Sequence, residues 1–162
     1  MQDQVIDTFR QEFDRFHAFL ELHIDVCPSD DIWREKTGNF AYWQHLMHAF
    51  SCVEFYAAPL GAPSLQTIYP ESMARFKNTE EPQRPMTRDE MRSLATAVKK
   101  LANDFFATQS TETMPLKNDT MSKAMGKDCT NIQALIALIR HYNYHLGCCD
   151  AALRSHGLPG VY

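Results

Sequence analysis

The chain has 162 residues, of which 44% are hydrophobic, 22% charged and 11% aromatic, a composition typical of a globular domain and unlike that of a disordered segment. Its formal net charge of −4 does not favour binding to phosphate backbones, so we expect no nucleic-acid partner. No apolar run approaches the roughly 18 residues of a membrane span, and the acidic, amphipathic N-terminus does not resemble a signal peptide. Five cysteines without a CxxC pair are typical of reduced thiols, so we expect a cytoplasmic protein with no membrane partner.

The positions of the prolines divide the chain into windows with helical periodicity. Proline inside a helix costs about 3 kcal/mol, so windows that lack proline and are flanked by it are helix candidates. Within each such window apolar residues recur at a spacing of three and four. The four windows are 3–26, 39–58, 87–108 and 128–156.

The four predicted helices differ in how much of their surface is apolar. The second and fourth are apolar around most of their circumference and are predicted to be the most buried. The first and third carry one apolar stripe and one polar face. Because phenylalanines form the buried stripe of the first helix, His17 and His23 are predicted at its edge. No alternating strand pattern and no hairpin-turn dipeptide is evident, which predicts an all-α protein.

The connections between these helices predict the topology. Segment 27–38 is predicted to be a short link, and segment 109–127 a longer polar link rich in threonine, asparagine and lysine. The proline-rich segment 59–86 is long enough to return along a helix before a parallel neighbour begins, and 70–77 within it is predicted to form a short helix. Residues 1–162 are therefore predicted to form a single domain, an all-α four-helix bundle with a long crossover between helices 2 and 3.

Histidines on the two most apolar helices predict a metal site. His141 and His145 are four residues apart, a spacing that places both imidazoles on one face of the last helix. His45 and His48 are three apart on the second helix. Helical bundles build metal sites from side chains on facing helices, and buried neutral imidazoles have few satisfying partners other than a cation.

Two other interpretations of the histidines stay open at this point. Core histidines are usually satisfied by ordinary hydrogen bonds, so their spacing also fits a core without metal. Cys52 follows His48 by four residues and Cys149 follows His145 by four, so a closed zinc site of these four residues also fits the spacing. This second alternative is the weaker one, because structural zinc is typical of small domains that lack a core.

Several of these residues together resemble the DinB-like (YfiT-like) four-helix bundles, a superfamily named for a DNA-damage-inducible bacterial protein. The resemblance covers essentially the whole chain and begins with the aromatic-rich first helix. It also includes the segment Trp43-Gln-His-Leu-Met-His48, the pair His141 and His145 followed by Leu146-Gly147, and the closing Leu-Arg-Ser-His-Gly-Leu-Pro-Gly160.

The resemblance implies a divalent ion held by one histidine of the second helix and two of the last. The ion is nickel, zinc or iron in different members of the superfamily. Carried onto this chain, the ligands are His48, His141 and His145, with His45 as the rival to His48. Some members have a carboxylate at the first position of the last-helix pair, where this chain keeps a histidine.

The resemblance also implies a class of chemistry. Several characterised members are transferases or isomerases that use a low-molecular-weight thiol such as mycothiol or bacillithiol, and many others have no established activity. We therefore expect a metal-dependent transferase, isomerase or hydrolase that activates a thiol or water for reaction on a small-molecule substrate. The alternative is a non-catalytic metal-binding or stress-response protein of the same fold. Apolar edges of such bundles commonly pair, so a homodimer is expected.

Overall fold

The computed structural model describes residues 3–59, 61–73 and 82–162, and in these ranges the chain is predominantly helical. The α-helices are α1 (Gln4–Val26), α2 (Asp30–Arg34), α3 (Tyr42–Tyr56), α4 (Arg88–Phe106), α5 (Asp119–Met125) and α6 (Asn131–Ser155). Strands β1 (Lys36–Thr37) and β2 (Phe40–Ala41) pair antiparallel, and a 3-10 helix spans Leu65–Thr67. In the part of the chain described here, no helix combines the length and hydropathy needed to cross a bilayer.

The four long helices α1, α3, α4 and α6 lie in the four windows predicted from the sequence. Local capping explains where two of them begin. At α4, the Glu90 amide donates to Thr87 Oγ1 at 3.2 Å and the Thr87 amide donates to Glu90 Oε2 at 2.9 Å, which is a capping box. Thr130 and Gln133 form the same arrangement at the start of α6.

Contacts between the long helices define their order and direction. Both α1 and α3 pack against α4 and α6. Contacts along α1 show that α6 runs in the same direction as α1, whereas α3 and α4 run in the opposite direction. The pairs are Phe13–Tyr142 and His23–Asp150 for α6, Asp14–Lys99 and Asp25–Arg92 for α4, and His17–Phe50 and His23–Tyr42 for α3. Consecutive helices α3 and α4 are thus parallel neighbours, which requires a long return connection.

The described part of that connection is tied to α3. Glu54 Oε2 accepts a hydrogen bond from the Leu65 amide at 2.9 Å, at the start of the 3-10 helix. The helix predicted for 70–77 is not seen at 70–72, which form a turn. Residues 74–77 of that prediction lie outside the described residues.

The predicted links 27–38 and 109–127 contain short elements of regular structure that the sequence patterns did not predict. Helix α2 and strand β1 lie in the first link, and α5 lies in the second. Strand β2 lies in the window 39–58 that was predicted to be helical, where α3 begins only at Tyr42. Helices of five and seven residues are too short to show apolar periodicity, but their caps are present in the sequence. Ser29 Oγ accepts from the Ile32 amide, Asn118 Oδ1 accepts from the Met121 amide, and Gly126 ends α5 at φ +66°.

The prediction that His17 and His23 lie at the edge of α1 is also wrong, because both side chains are fully buried. The ring of His17 lies 5.3 Å from that of Phe13 and 5.1 Å from that of Phe50. His23 Nδ1 lies 2.8 Å from the Tyr42 hydroxyl. Spacing explains this placement: residues 13, 17, 20 and 24 form a continuous three-and-four series, so position 17 belongs to the buried stripe even though it is polar.

Candidate metal centre

Three histidines converge where α3 faces α6. His48 of α3 and His141 and His145 of α6 each offer one ring nitrogen, and these three atoms lie within 4.8 Å of one another. The Nε2 atoms of His141 and His145 are 3.0 Å apart. His145 is buried, whereas His48 and His141 are half-buried. The structure thus brings together the three residues that the resemblance implied as ligands.

The two strands place α3 so that its histidines meet α6. Gln44 accepts a hydrogen bond from the Ala41 amide through Oε1 at 2.7 Å, which caps the start of α3 directly after β2. The ring of Phe40, from β2, stacks on His48 with a centroid distance of 5.4 Å and an interplanar angle of 26°. Gly38, between the strands, has φ +69°, a conformation that glycine adopts without steric cost.

Antiparallel packing of α3 and α6 brings residues from distant parts of the chain together. The ring centroid of His48 lies 5.0 Å from those of His141 and His145, which are 4.8 Å from each other. Aromatic side chains border the group: the ring of Tyr56 lies 5.9 Å from His141, and that of Tyr144 lies 5.0 Å from His145. The cluster is therefore enclosed partly by rings and remains accessible at His48 and His141.

The surroundings of the three histidines favour their neutral form. Burial, and then the charges of His141 and His45, lower the pKa of His48 to about 4. Burial, and then the charges of His48 and His141, lower the pKa of His145 to about 2. The pKa of His141 is lowered by burial and by the charge of Arg140. At neutral pH all three rings are uncharged, which is the form in which imidazole binds a metal.

The chemistry of the three donors, and the spacing of the two donors on α6, fit a divalent metal ion. A metal–nitrogen bond of about 2.1 Å places two ligand nitrogens about 3.0 Å apart at a right angle and about 3.4 Å apart at the tetrahedral angle. The 3.0 Å between the Nε2 atoms of His141 and His145 lies in this range. Imidazole donors suit zinc, iron and nickel, the three metals that the resemblance implies.

His45 lies beside the cluster but is not part of it. Its Nδ1 lies 3.0 Å from Nδ1 of His145, and its Nε2 lies 3.1 Å from the carbonyl oxygen of Thr37. Each ring nitrogen of His45 therefore has its own partner, and neither points into the space between His48, His141 and His145. The resemblance left His45 as the rival ligand to His48, and the sequence gave no sign of the contact between His45 and Thr37.

The alternative of a closed zinc site with two cysteines is not supported by the geometry. The group of potential ligands found among the described residues contains neither Cys52 nor Cys149. The Cys52 thiol donates to the carbonyl oxygen of Ala49, with Sγ and oxygen 2.9 Å apart. Burial raises the pKa of both thiols well above the usual range, which disfavours the thiolate that binds zinc.

A cavity of about 390 Å³ lies along α6 beside this cluster. Its wall includes Ala137, about one turn before His141, and Arg140, the residue directly before His141. Tyr56 packs against the apolar residues of this wall, and its ring also contacts His141. Tyr56 thus contacts both the candidate metal centre and apolar residues that line a space large enough for a small molecule.

Comparison of the chain with protein-family models, with curated proteins and with solved structures finds no match. The likeness to DinB-like proteins therefore depends on the motif residues of the sequence, and the candidate site depends on its own geometry.

Proposed function

We propose that this chain is a DinB-like four-helix bundle that holds a divalent metal ion on His48, His141 and His145. It acts on a small molecule as a metal-dependent transferase, isomerase or hydrolase. The observation that carries this proposal is the convergence of three imidazole nitrogens, from two helices, within 4.8 Å of one another. The arrangement of α1, α3, α4 and α6, with α3 and α4 parallel, supports the bundle.

The donor set determines what the site can do. A divalent ion bound there supplies Lewis acidity that lowers the pKa of a water or thiol and so provides a nucleophile at neutral pH. The three neutral imidazoles contribute no negative charge, so the protein leaves the charge of the ion available to a substrate. Three protein ligands also leave a coordination position open, which is typical of catalytic rather than structural sites.

Neighbouring residues shape the approach of a substrate. His48 and His141 are half-buried, so the open side of the site lies towards them. The rings of Phe40 and Tyr56 border this side and exclude water from part of it. A small thiol or another compact molecule therefore meets an apolar rim before it reaches the imidazoles.

Metal binding is the first test of the proposal. The protein is purified without an affinity nickel column, treated with a chelator and titrated with zinc, nickel and iron(II) salts. We expect one ion per chain in the parent protein and its loss in His48→Ala, His141→Ala and His145→Ala. His156→Ala, at the end of α6 where the ring contacts Glu35, is the matched control and keeps the metal. No stoichiometric binding of any of these metals by the parent would refute the metal site.

A second test separates an enzyme from a non-catalytic metal-binding protein. The chelator-treated protein is loaded with cobalt(II), whose visible spectrum reports the ligands of the ion. Addition of a small thiol is expected to change that spectrum, because the open position can accept a sulfur ligand. A spectrum that no added thiol or small anion alters would indicate a filled coordination sphere and would favour the non-catalytic alternative.

A further inference from the structure

His45 is buried, and one of its ring nitrogens lies within hydrogen-bond distance of His145, a ligand of the candidate metal centre. Its Nδ1 lies 3.0 Å from Nδ1 of His145, and its Nε2 lies 3.1 Å from the carbonyl oxygen of Thr37. The other nitrogen of His145, Nε2, lies 3.0 Å from Nε2 of His141. A continuous chain of polar contacts therefore runs from the backbone of β1 to the ligand cluster.

The partners in this chain determine which nitrogens carry hydrogen. A backbone carbonyl oxygen can only accept, so Nε2 of His45 is the donor to Thr37. A neutral imidazole has one donor and one acceptor, so Nδ1 of His45 accepts the hydrogen bond from Nδ1 of His145. His145 then carries its hydrogen on Nδ1, and its Nε2 presents a lone pair on the side of His141.

We propose that His45 is a positioning residue, which fixes the ring orientation and tautomer of His145 so that Nε2 of His145 is free to bind the metal. This inference rests on the proposed function, because it assigns a partner to one of the proposed ligands. Histidines that bind metals commonly donate their second ring hydrogen to a fixed acceptor, and loss of that acceptor typically lowers metal affinity 10–100-fold. His45 takes the place of the carboxylate or carbonyl oxygen that usually fills this role.

The hairpin holds His45 in turn. Besides the hydrogen bond to Thr37, the ring of Phe40 meets His45 at 5.5 Å with an interplanar angle of 86°, and the same ring stacks on His48. Residues on both strands therefore restrain the side chains on α3. The register of the hairpin, with Thr37 opposite Phe40, places these two contacts next to each other.

The test compares zinc affinities by competition with a chelator whose affinity is known. His45→Phe keeps a ring of similar size but removes both nitrogens, and we expect its zinc affinity to fall about 10–100-fold. His45→Asn can place Oδ1 near the position of Nδ1, and we expect it to recover most of that loss. His17→Phe is the matched control, a buried histidine on α1 outside the cluster, and keeps the parent affinity.

A second readout reports the tautomer directly. Heteronuclear NMR spectra of the zinc-loaded parent, with labelled histidine rings, are expected to show hydrogen on Nδ1 of His145 and on Nε2 of His45. The same affinity in His45→Phe as in the parent, or hydrogen on Nε2 of His145, would overturn the role of His45 and leave the metal site intact. Failure of the parent itself to bind zinc, nickel or iron(II) would instead overturn the proposed function, and with it this inference.

Discussion

Acid should destabilise this protein through His17, and replacing that residue should remove a defined part of the effect. The side chain is fully buried, and Nε2 has no hydrogen-bond partner among the described residues. Burial, with a smaller contribution from the charge of Lys99, lowers the pKa of His17 to about 3. An unfolded chain restores a pKa of about 6.5, so between these values the unfolded state binds more protons than the folded state.

The sign and size of the effect follow from this difference in pKa. Because the folded pKa is the lower one, the contribution of His17 to stability is present above about pH 6.5 and is lost as the pH falls towards 3. The loss is about 1.4 kcal/mol for each pH unit below 6.5, or about 2 kcal/mol between pH 7 and pH 5. This is a large fraction of the roughly 5–15 kcal/mol by which domains are usually stable.

The assay is urea denaturation of chelator-treated protein, followed by circular dichroism at about pH 7, 6 and 5. The chelator removes any metal, so that protons do not compete with an ion at the other histidines. His17→Phe should lose about 2 kcal/mol less stability than the parent between pH 7 and pH 5. Ile24→Val, also buried on α1, is the matched control: it should cost about 0.5–1.5 kcal/mol at every pH. Equal pH dependence in His17→Phe and the parent would refute the reasoning.

Two further predictions concern buried polar contacts elsewhere in the fold. In Trp33→Phe the carbonyl oxygen of Met86 loses the indole donor that now lies 2.8 Å away, and we expect the urea midpoint to fall by an amount equivalent to about 1–3 kcal/mol. An unchanged midpoint would show that this hydrogen bond adds nothing. Asp150 accepts hydrogen bonds from the amides of Val161 and Tyr162, at 2.6 Å and 3.1 Å. Asp150→Asn removes one acceptor oxygen and the charge, so carboxypeptidase should shorten the C-terminus faster than in the parent, which mass spectrometry can measure. Digestion at the parent rate would show that Asp150 does not hold the C-terminus in place.

Local signals in the sequence were sufficient to predict the four long helices. Proline-free windows, apolar spacing and the capping box at Thr87 and Glu90 are properties of neighbouring residues, so they can be recognised without the rest of the fold. Helices α2 and α5 and the two-residue strands are too short to show such a pattern. These elements depend on single caps, such as Ser29 and Asn118, and on contacts with the long helices.

Burial of the histidines on α1 could not be judged from residue type. His17 continues the spacing of the buried stripe, but it was predicted at the edge because phenylalanines form that stripe. The structure buries it because α3 and α6 lie across that face, where Phe50 and Tyr142 contact the ring. Packing of several helices around one face outweighs the preference of a single polar residue for water.

The spacing of four between His141 and His145 is fixed by the sequence alone, because any α-helix places residues at this spacing on one face. The choice between His45 and His48 is different. Three residues along a helix differ by only about 60° around its axis, so either could face α6. The packing of α3 against α6 and against the hairpin decides that His48 joins His141 while His45 contacts Thr37 and His145. Helix periodicity is local and can be read from the chain, whereas the orientation of one helix against another depends on all the residues packed between them.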